Sequence, residues 1–243
     1  MRLADDVCVI GGGRLGYGLS SDYDCNVFAV DDGDSVVLID AGSGLGEQAI
    51  LKWLRQDGIA GRVAALVLTH AHADHAGGAC GLRERLGIPV LASAATADIV
   101  ESGDEERLGL RQARKDGVYP ESYRFKPCRV DRVLAAGDTI RHGSHRLQVV
   151  PAPGHSSDMI ALYDAGSGTL FGGDAIFAGG RLAVLNTEDF SMHDYRDTIV
   201  RLAALKVRRL FAGHLEAVLQ GAQACLLDAR DRFERGEAPL SIV

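Results

Sequence analysis

Short apolar runs rich in Val, Ile and Leu recur along this chain, separated by turn residues and by longer stretches in which apolar positions repeat at helical spacing. Residues 7–10, 25–30 and 36–40 read as strands, with Asp31-Asp32-Gly33-Asp34 as the turn between the last two. Gly46 to Gly58 reads as a helix whose apolar stripe is Ile50, Leu51, Trp53 and Leu54. A strand over 63–69, a helix over 79–86, a short strand over 88–92 and a helix near 94–101 follow. The charges between 103 and 127 (Asp104, Glu105, Glu106, Arg107, Arg111, Arg114, Lys115, Asp116) predict an exposed, solvated helix, then a loop holding Tyr119, Tyr123 and Phe125. Strands resume at 130–134, 139–150, 159–163 and 169–173, before a helix over 192–206, a strand over 209–212 and a helix over 215–235. No linker, internal repeat or low-complexity tract divides this succession, so residues 1–243 are expected to form a single domain.

Composition narrows the class. With 47 % apolar and 24 % charged residues in 243, the chain can bury a large core. A net charge of −7 leaves no basic footprint for nucleic acid, and charge or Gly interrupts every apolar run before it reaches membrane-spanning length. The opening Met1-Arg2-Leu3-Ala4-Asp5-Asp6 places acids where a secretory signal needs an apolar core, which favours a cytoplasmic location. Five cysteines, Cys8, Cys25, Cys80, Cys128 and Cys225, are odd in number and lack metal-type pairing, as expected of free buried thiols in a reducing compartment.

Chemistry concentrates at the end of the strand over 63–69, where Thr69-His70-Ala71-His72-Ala73-Asp74-His75-Ala76-Gly77-Gly78 packs three imidazoles and a carboxylate into six residues. If the backbone stays extended, His70, His72 and Asp74 share one face, while His75 points elsewhere or opens the next helix. One histidine on an apolar strand is ordinarily a packed or surface residue. Four polar groups at one strand end would each cost a few kcal/mol against a core without a compensating partner, and imidazole with carboxylate is the donor set for Zn, Fe or Mn.

The His70-Ala-His72-Ala-Asp74-His75 sequence resembles the HxHxDH signature of the metallo-β-lactamase-fold hydrolases. Three later segments resemble that family's remaining motifs in family order: Pro153-Gly154-His155, Gly172-Gly173-Asp174 and Ala212-Gly213-His214, each ligand directly behind Gly and after an apolar run. The resemblance implies a four-layer αββα sandwich. It also implies two divalent metal ions, zinc first, with iron or manganese as alternatives. His70, His72 and His155 would hold one metal, Asp74, His75 and His214 the other, with Asp174 bridging. Water between two cations loses a proton near neutral pH, so hydroxide is the expected nucleophile, with Asp74 and Asp174 as the catalytic carboxylates. Ser156 and Ser157 are expected to hydrogen-bond around the metal loop, and Asp158 or a backbone carbonyl to orient ligand imidazoles.

The Gly-Gly-Asp context resembles glyoxalase II and the quorum-signal lactonases more than the true β-lactamases, so the expected reaction is hydrolysis of an ester-type bond, thioester or lactone. The 29 residues after His214 are enough for one helix, so the helical glutathione-binding domain of glyoxalase II is not expected here, and hydroxyacylglutathione is not the expected substrate. Alternatives are a phosphodiesterase on the same dinuclear site and a non-enzymatic ligand-binding protein of this fold. The expected partner is a small-molecule substrate, with neither nucleic acid nor membrane; a homodimer is left open. Pocket candidates are Phe177, Arg181, Asn186 and Tyr195, with Tyr119 and Tyr123 beside them. Of the remaining histidines, His142 and His145 flank a hairpin turn at Gly143-Ser144 and are expected to be exposed, and His193 is expected to be a plain helix-start residue.

Overall fold

The computed structural model describes residues 1–243, which divide into two compact units, Met1–Leu134 and Ala135–Val243.

The first unit is a seven-stranded sheet whose spatial order follows the chain: β1 (Arg2–Ala4), β2 (Val7–Gly11), β3 (Val27–Asp31), β4 (Val36–Ile39), β5 (Val63–Val67), β6 (Val90–Ser93) and β7 (Arg132–Leu134). The first four pair antiparallel, and β4 through β7 pair parallel. Parallel neighbours need crossovers. These are supplied by α1 (Glu47–Gln56) between β4 and β5, α2 (Ala73–Ala76) and α3 (Ala79–Leu86) between β5 and β6, and α4 (Ala94–Ser102) and α5 (Leu110–Lys115) between β6 and β7. One sheet face, carrying Cys8, Ile10, Val27, Ala29, Leu38, Leu66 and Leu68, packs with the α1 stripe Ile50, Leu51 and Leu54 and with the buried residues of α3 to α5. The alternate residues Val7, Val9, Phe28, Val30, Val37, Ile39 and Val67 are buried as well. Burial on both faces explains why these strands read as near-continuous apolar runs.

The β3–β4 turn at Asp31–Asp34 forms as expected, with Gly33 at φ 95 and the Asp31 and Asp32 carboxylates accepting backbone N–H groups within the turn. The segment 103–127 departs from expectation. Its charged residues are largely exposed, but Leu108, Leu110, Tyr119, Tyr123 and Phe125 are buried in the unit's core, so the run is a tethered flap and not a solvated face. Arg114 braces it internally by bonding both Glu105 and the Tyr123 carbonyl, and the Tyr123 hydroxyl ties it to the Ser43 carbonyl.

The second unit is a five-stranded sheet built on β8 (Thr139–His142), β9 (His145–Pro151), β10 (Ile160–Asp164), β11 (Thr169–Gly173) and β12 (Arg209–Ala212), in the order β12-β11-β10-β9-β8. Only β11 and β12 are parallel, joined through α6 (Met192–Ala203); α7 (Gln223–Glu234) follows. Tyr195, Ile199 and Leu202 of α6 and Leu226 of α7 pack with Leu170, Ile176, Phe177 and Leu210.

Two expectations are corrected here. His142 and His145 are 5 % and 8 % exposed: the alternation that puts Ile140, Leu147 and Val149 inside puts these histidines on the same side, their rings stacked with centroids 6.2 Å apart. Asp164 on the neighbouring strand meets His145 Nδ1 at 2.9 Å, which satisfies the buried ring. The helix expected over 215–235 begins only at Gln223, because Leu215 takes φ 59 and Val218 pairs back onto Leu210. His193 is exposed on α6, 3.8 Å from Asp197 one turn on.

Candidate metal centre

In the first unit the candidate ligands sit where β5 ends. Strand pairing stops at Val67, and Ile39 at the end of β4 lies beside it. Asp40, the next residue, is in the left-handed region at φ 62, a conformation that costs a non-glycine residue energy and that Asp tolerates better than most. That geometry turns its carboxylate across to the neighbouring strand. Oδ1 accepts the Thr69 N–H at 2.7 Å, and Oδ2 accepts the Thr69 hydroxyl at 2.9 Å and faces His75 Nδ1 at 2.9 Å.

The extended backbone expected through Asp74 breaks at Ala73, where α2 begins with His72 as its N-cap. The helical turn brings His75 into the cluster, with its ring centroid 4.1 Å from that of His70, and the His72 ring lies 4.6 Å from His70. His70 and His75 are fully buried; His72 and Asp74 are partly exposed. His75 Nε2 stands 3.5 Å from Asp74 Oδ2.

The hydrogen bonds fix the tautomers. A carboxylate only accepts, so His75 carries its proton on Nδ1 and presents the Nε2 lone pair. The Thr69 hydroxyl gives its own proton to Asp40, so at 3.0 Å it accepts from His70 Nδ1, and His70 likewise presents Nε2. Asp40 and Thr69 thus position two candidate ligands. Neither was singled out from the sequence, although an Asp directly after an apolar strand was the available signal. Cys25 also lies within 4.8 Å of Asp40 and His75; burial pushes its thiol up to about 12, so it packs as a neutral thiol.

In the second unit His155, Asp174 and His214 converge. Asp174 and His214 follow the parallel neighbours β11 and β12, tied by the Gly213 N–H to the Gly173 carbonyl at 2.8 Å. Asp174 Oδ2 stands 3.5 Å from His155 Nε2 and 3.3 Å from His214 Nε2. His155 Nδ1 donates to the Ala183 carbonyl at 3.1 Å, so its Nε2 too carries the lone pair. Gly154 is required where it stands. At φ 142, a Cβ there would lie 2.3 Å from the Tyr195 Cα. Ser156 donates to Asp158, so the orienting group for His155 is a backbone carbonyl and Asp158 serves the serine.

The pocket candidates scatter. Tyr195 is fully buried: its hydroxyl donates to the Asp174 carbonyl at 2.6 Å and accepts the Ala183 N–H at 3.2 Å, which pushes it out of any substrate-facing role and into bracing the ligand loops. Burial raises its pKa far above the ordinary tyrosine value, so it stays a donor. Phe177 is also closed to solvent, its ring 6.1 Å from His214, whereas Arg181 and Asn186 are exposed. Tyr119 and Tyr123 stack at 4.9 Å, Tyr23 covers Tyr119 at 5.4 Å, and the Tyr123 hydroxyl donates to the Ser43 carbonyl at 2.6 Å.

The donor set suits a divalent metal. The Nε2 lone pairs of His75 and His155 each face a carboxylate oxygen at 3.5 Å, an arrangement that repels itself until a cation lies between the groups. Imidazole nitrogen with carboxylate oxygen, with His70, His75 and His155 each oriented through Nδ1, is the pattern of metal-ligating histidine.

No helix is long and apolar enough to cross a membrane. Among curated proteins the chain is 31 % identical over 207 residues to a hydroxyacylglutathione hydrolase of Chromohalobacter salexigens, matching 83 % of this chain and 67 % of the relative. It is 30 % identical over 176 residues to a hydroxyacylglutathione hydrolase of Rhodobacter capsulatus, matching 70 % and 57 %. The chain thus spans between about half and two thirds of the length of these relatives. Among solved structures, a metallo-beta-lactamase family protein of Thermus thermophilus superposes with a TM-score of 0.73 at 21 % identity over 96 % of this chain and 81 % of its own. A metallo-beta-lactamase variant of Cronobacter sakazakii gives 0.69 at 22 % over 98 % and 86 %. These likenesses bear out the expected αββα fold class. The family model described as metallo-beta-lactamase superfamily matches residues 21–214, from the approach to β3 through His214, and the chain belongs to that superfamily.

Proposed function

We propose that this chain is a metal-dependent hydrolase that cleaves an ester-type bond, a thioester or a lactone, with residues 1–243 acting as one catalytic domain. The observation that carries the reading is the donor chemistry: His70, His75 and His155 are each held through Nδ1 so that Nε2 is the ligand atom, beside Asp74 and Asp174 carboxylates. In this reading His70, His72 and His155 would hold one divalent ion and Asp74, His75 and His214 a second, with Asp174 available to either. The ions supply Lewis acidity and an acidified water, the chemistry by which such sites hydrolyse carbonyl compounds.

The chain's own residues do the positioning. Asp40 and Thr69 fix the imidazoles of the first unit, and Ala183 and Tyr195 fix His155 and the Asp174 backbone in the second. Burial of His70, His75, His155 and Asp174 keeps bulk water from screening the charges that develop on the carbonyl oxygen and the leaving group. The relatives named hydroxyacylglutathione hydrolase support the thioester arm. The test is elemental analysis of the purified protein paired with turnover of a thioester, a lactone, a cephalosporin and an aryl phosphodiester. About two metals per chain with thioester or lactone turnover supports the reading; phosphodiester turnover alone, or metal-free protein with no turnover, overturns it.

A further inference from the structure

The loop between Asp174 and α6 contains an extended run whose two edges have different partners. The Phe177 N–H donates to the Arg181 carbonyl at 2.9 Å, which closes the turn after Asp174, and Arg181 leaves that turn extended at φ −80, ψ 153. In extended backbone the N–H and C=O of one residue point to one side, and those of the next residue to the other. Leu182 turns both groups toward the segment that follows α7. Its N–H donates to the Leu240 carbonyl at 2.8 Å, and its carbonyl accepts the Ile242 N–H at 2.9 Å, the pattern of a parallel bridge. Ala183 turns both groups to the opposite side, where its N–H meets the Tyr195 hydroxyl at 3.2 Å and its carbonyl accepts from His155 Nδ1 at 3.1 Å. Val184 returns to the first side, with its N–H on Ser241 Oγ at 3.3 Å.

Segment 240–242 is anchored from behind. Arg232 of α7 donates through Nε and Nη2 to the Ala238 carbonyl at 3.1 and 2.9 Å, and Ile242 packs against the core of the second unit. Leu182 is fully buried, and its N–H and C=O stay satisfied while the neighbouring segment is in place. We propose that segment 240–242 is a positioning element for the candidate ligand His155. It fixes Leu182, Leu182 fixes the direction of the Ala183 backbone, and the Ala183 carbonyl holds the His155 proton on Nδ1 so that Nε2 is the ligand atom. This deepens the metal-dependent hydrolase reading and rests on it. Displacing the segment turns the Ala183 carbonyl away and lets the imidazole rotate or move its proton, with every candidate ligand still present.

The test is Ile242→Pro in the full chain, which removes the N–H given to the Leu182 carbonyl. Ile242→Val, which keeps that N–H and most of the apolar contact, is the conservative control. In the metal-free protein, exchange of the Leu182 and Ala183 amide hydrogens should become about 10-fold faster in the proline variant, while amides of β10 and β11 exchange as before. Imidazole 15N NMR should show the Nδ1-protonated form of His155 giving way to a mixture. Competition against a chelator should show metal affinity lower by about 10-fold, and Ile242→Val should match the wild type throughout. If Ile242→Pro does not fold, Ile242→Ala, which strips the packed side chain and keeps the N–H, should move all three readouts in the same direction. Unchanged exchange and an unchanged His155 tautomer in the folded variant overturn the proposal, as does faster exchange with metal affinity intact. A wild-type chain that binds no metal overturns the hydrolase reading instead, and the exchange and tautomer measurements then decide the positioning of His155 by themselves.

Discussion

Replacing Asp40 by Asn tests the positioning network at its most constrained point. Asn tolerates the left-handed backbone about as well as Asp, so the fold should survive. The amide orientation is dictated by the Thr69 backbone N–H, which can only donate: the amide oxygen must take the place of Oδ1, and the NH2 must take the place of Oδ2. That NH2 then faces both the Thr69 hydroxyl and His75 Nδ1, two groups that donated to the carboxylate. His75 must move its proton to Nε2 to accept. Thr69 becomes free to donate to His70 Nδ1, which favours the same flip there. One atom change therefore reverses hydrogen-bond polarity through three residues and blocks two candidate ligand atoms. Loss of such an orienting partner weakens metal binding by about 10- to 100-fold, or about 1.4 to 2.7 kcal/mol, and with two imidazoles affected the upper figure is expected. The assay is competition for the metal against a chelator of known affinity, with urea unfolding of the metal-free protein as control. Affinity unchanged within twofold would refute the tautomer argument, and so would a loss of affinity matched by collapse of the metal-free fold.

Other perturbations test separate parts of the structure. Asp31, gripped by Arg62 and bonded by the Gly33 N–H and Arg2, titrates at about 2 against an ordinary 3.8; its stabilisation is fully present above pH 3.8 and is lost as pH falls toward 2. After screening by solvent this is worth about 1 to 2 kcal/mol, so Asp31→Asn should flatten the fall in urea midpoint between pH 5 and pH 2.5, and an unchanged slope counts against the pair. Gly154→Ala forces a Cβ onto the Tyr195 backbone and should cost about 3 kcal/mol or more, whereas Gly81→Ala meets only the movable Glu47 carboxylate and should change stability by less than about 1 kcal/mol; equal effects would refute the packing argument. Phe171→Ala removes a buried ring stacked on Phe211 at 5.2 Å and should cost about 3 to 5 kcal/mol in thermal or urea unfolding.

Strands and ligands were legible in the sequence for one physical reason. Sheets buried on both faces demand unbroken apolar runs, and a polar ligand can follow such a run only where the strand leaves the core, so His70, His155, Asp174 and His214 announce themselves by position as well as by type. What stayed hidden was decided by partners distant along the chain. His142 and His145 looked like turn residues, because the sequence shows Gly143-Ser144 between them but not Asp164 on the next strand, whose carboxylate makes burial of His145 affordable. The flap over 103–127 looked solvated because its charges outnumber its aromatics; Arg114 joins Glu105 to the Tyr123 backbone within the segment, and the rings pack into the core with the Tyr123 hydroxyl on the Ser43 carbonyl.

Tyr195 marks the same limit at the candidate centre. A tyrosine 21 residues beyond an aspartate reads as a pocket wall, yet its hydroxyl bonds the backbone of Asp174 and of Ala183, and Ala183 in turn holds His155. Ala183 has no side-chain chemistry to betray that role, and α6, which carries Tyr195, also receives the ligand loop through Thr198 on the Pro153 carbonyl and the Ser191 N–H on the Gly154 carbonyl. Ligand identity is written in residue types, but ligand orientation is written in backbone groups that any residue can supply. The orienting half of such a site therefore emerges only once the chain is folded.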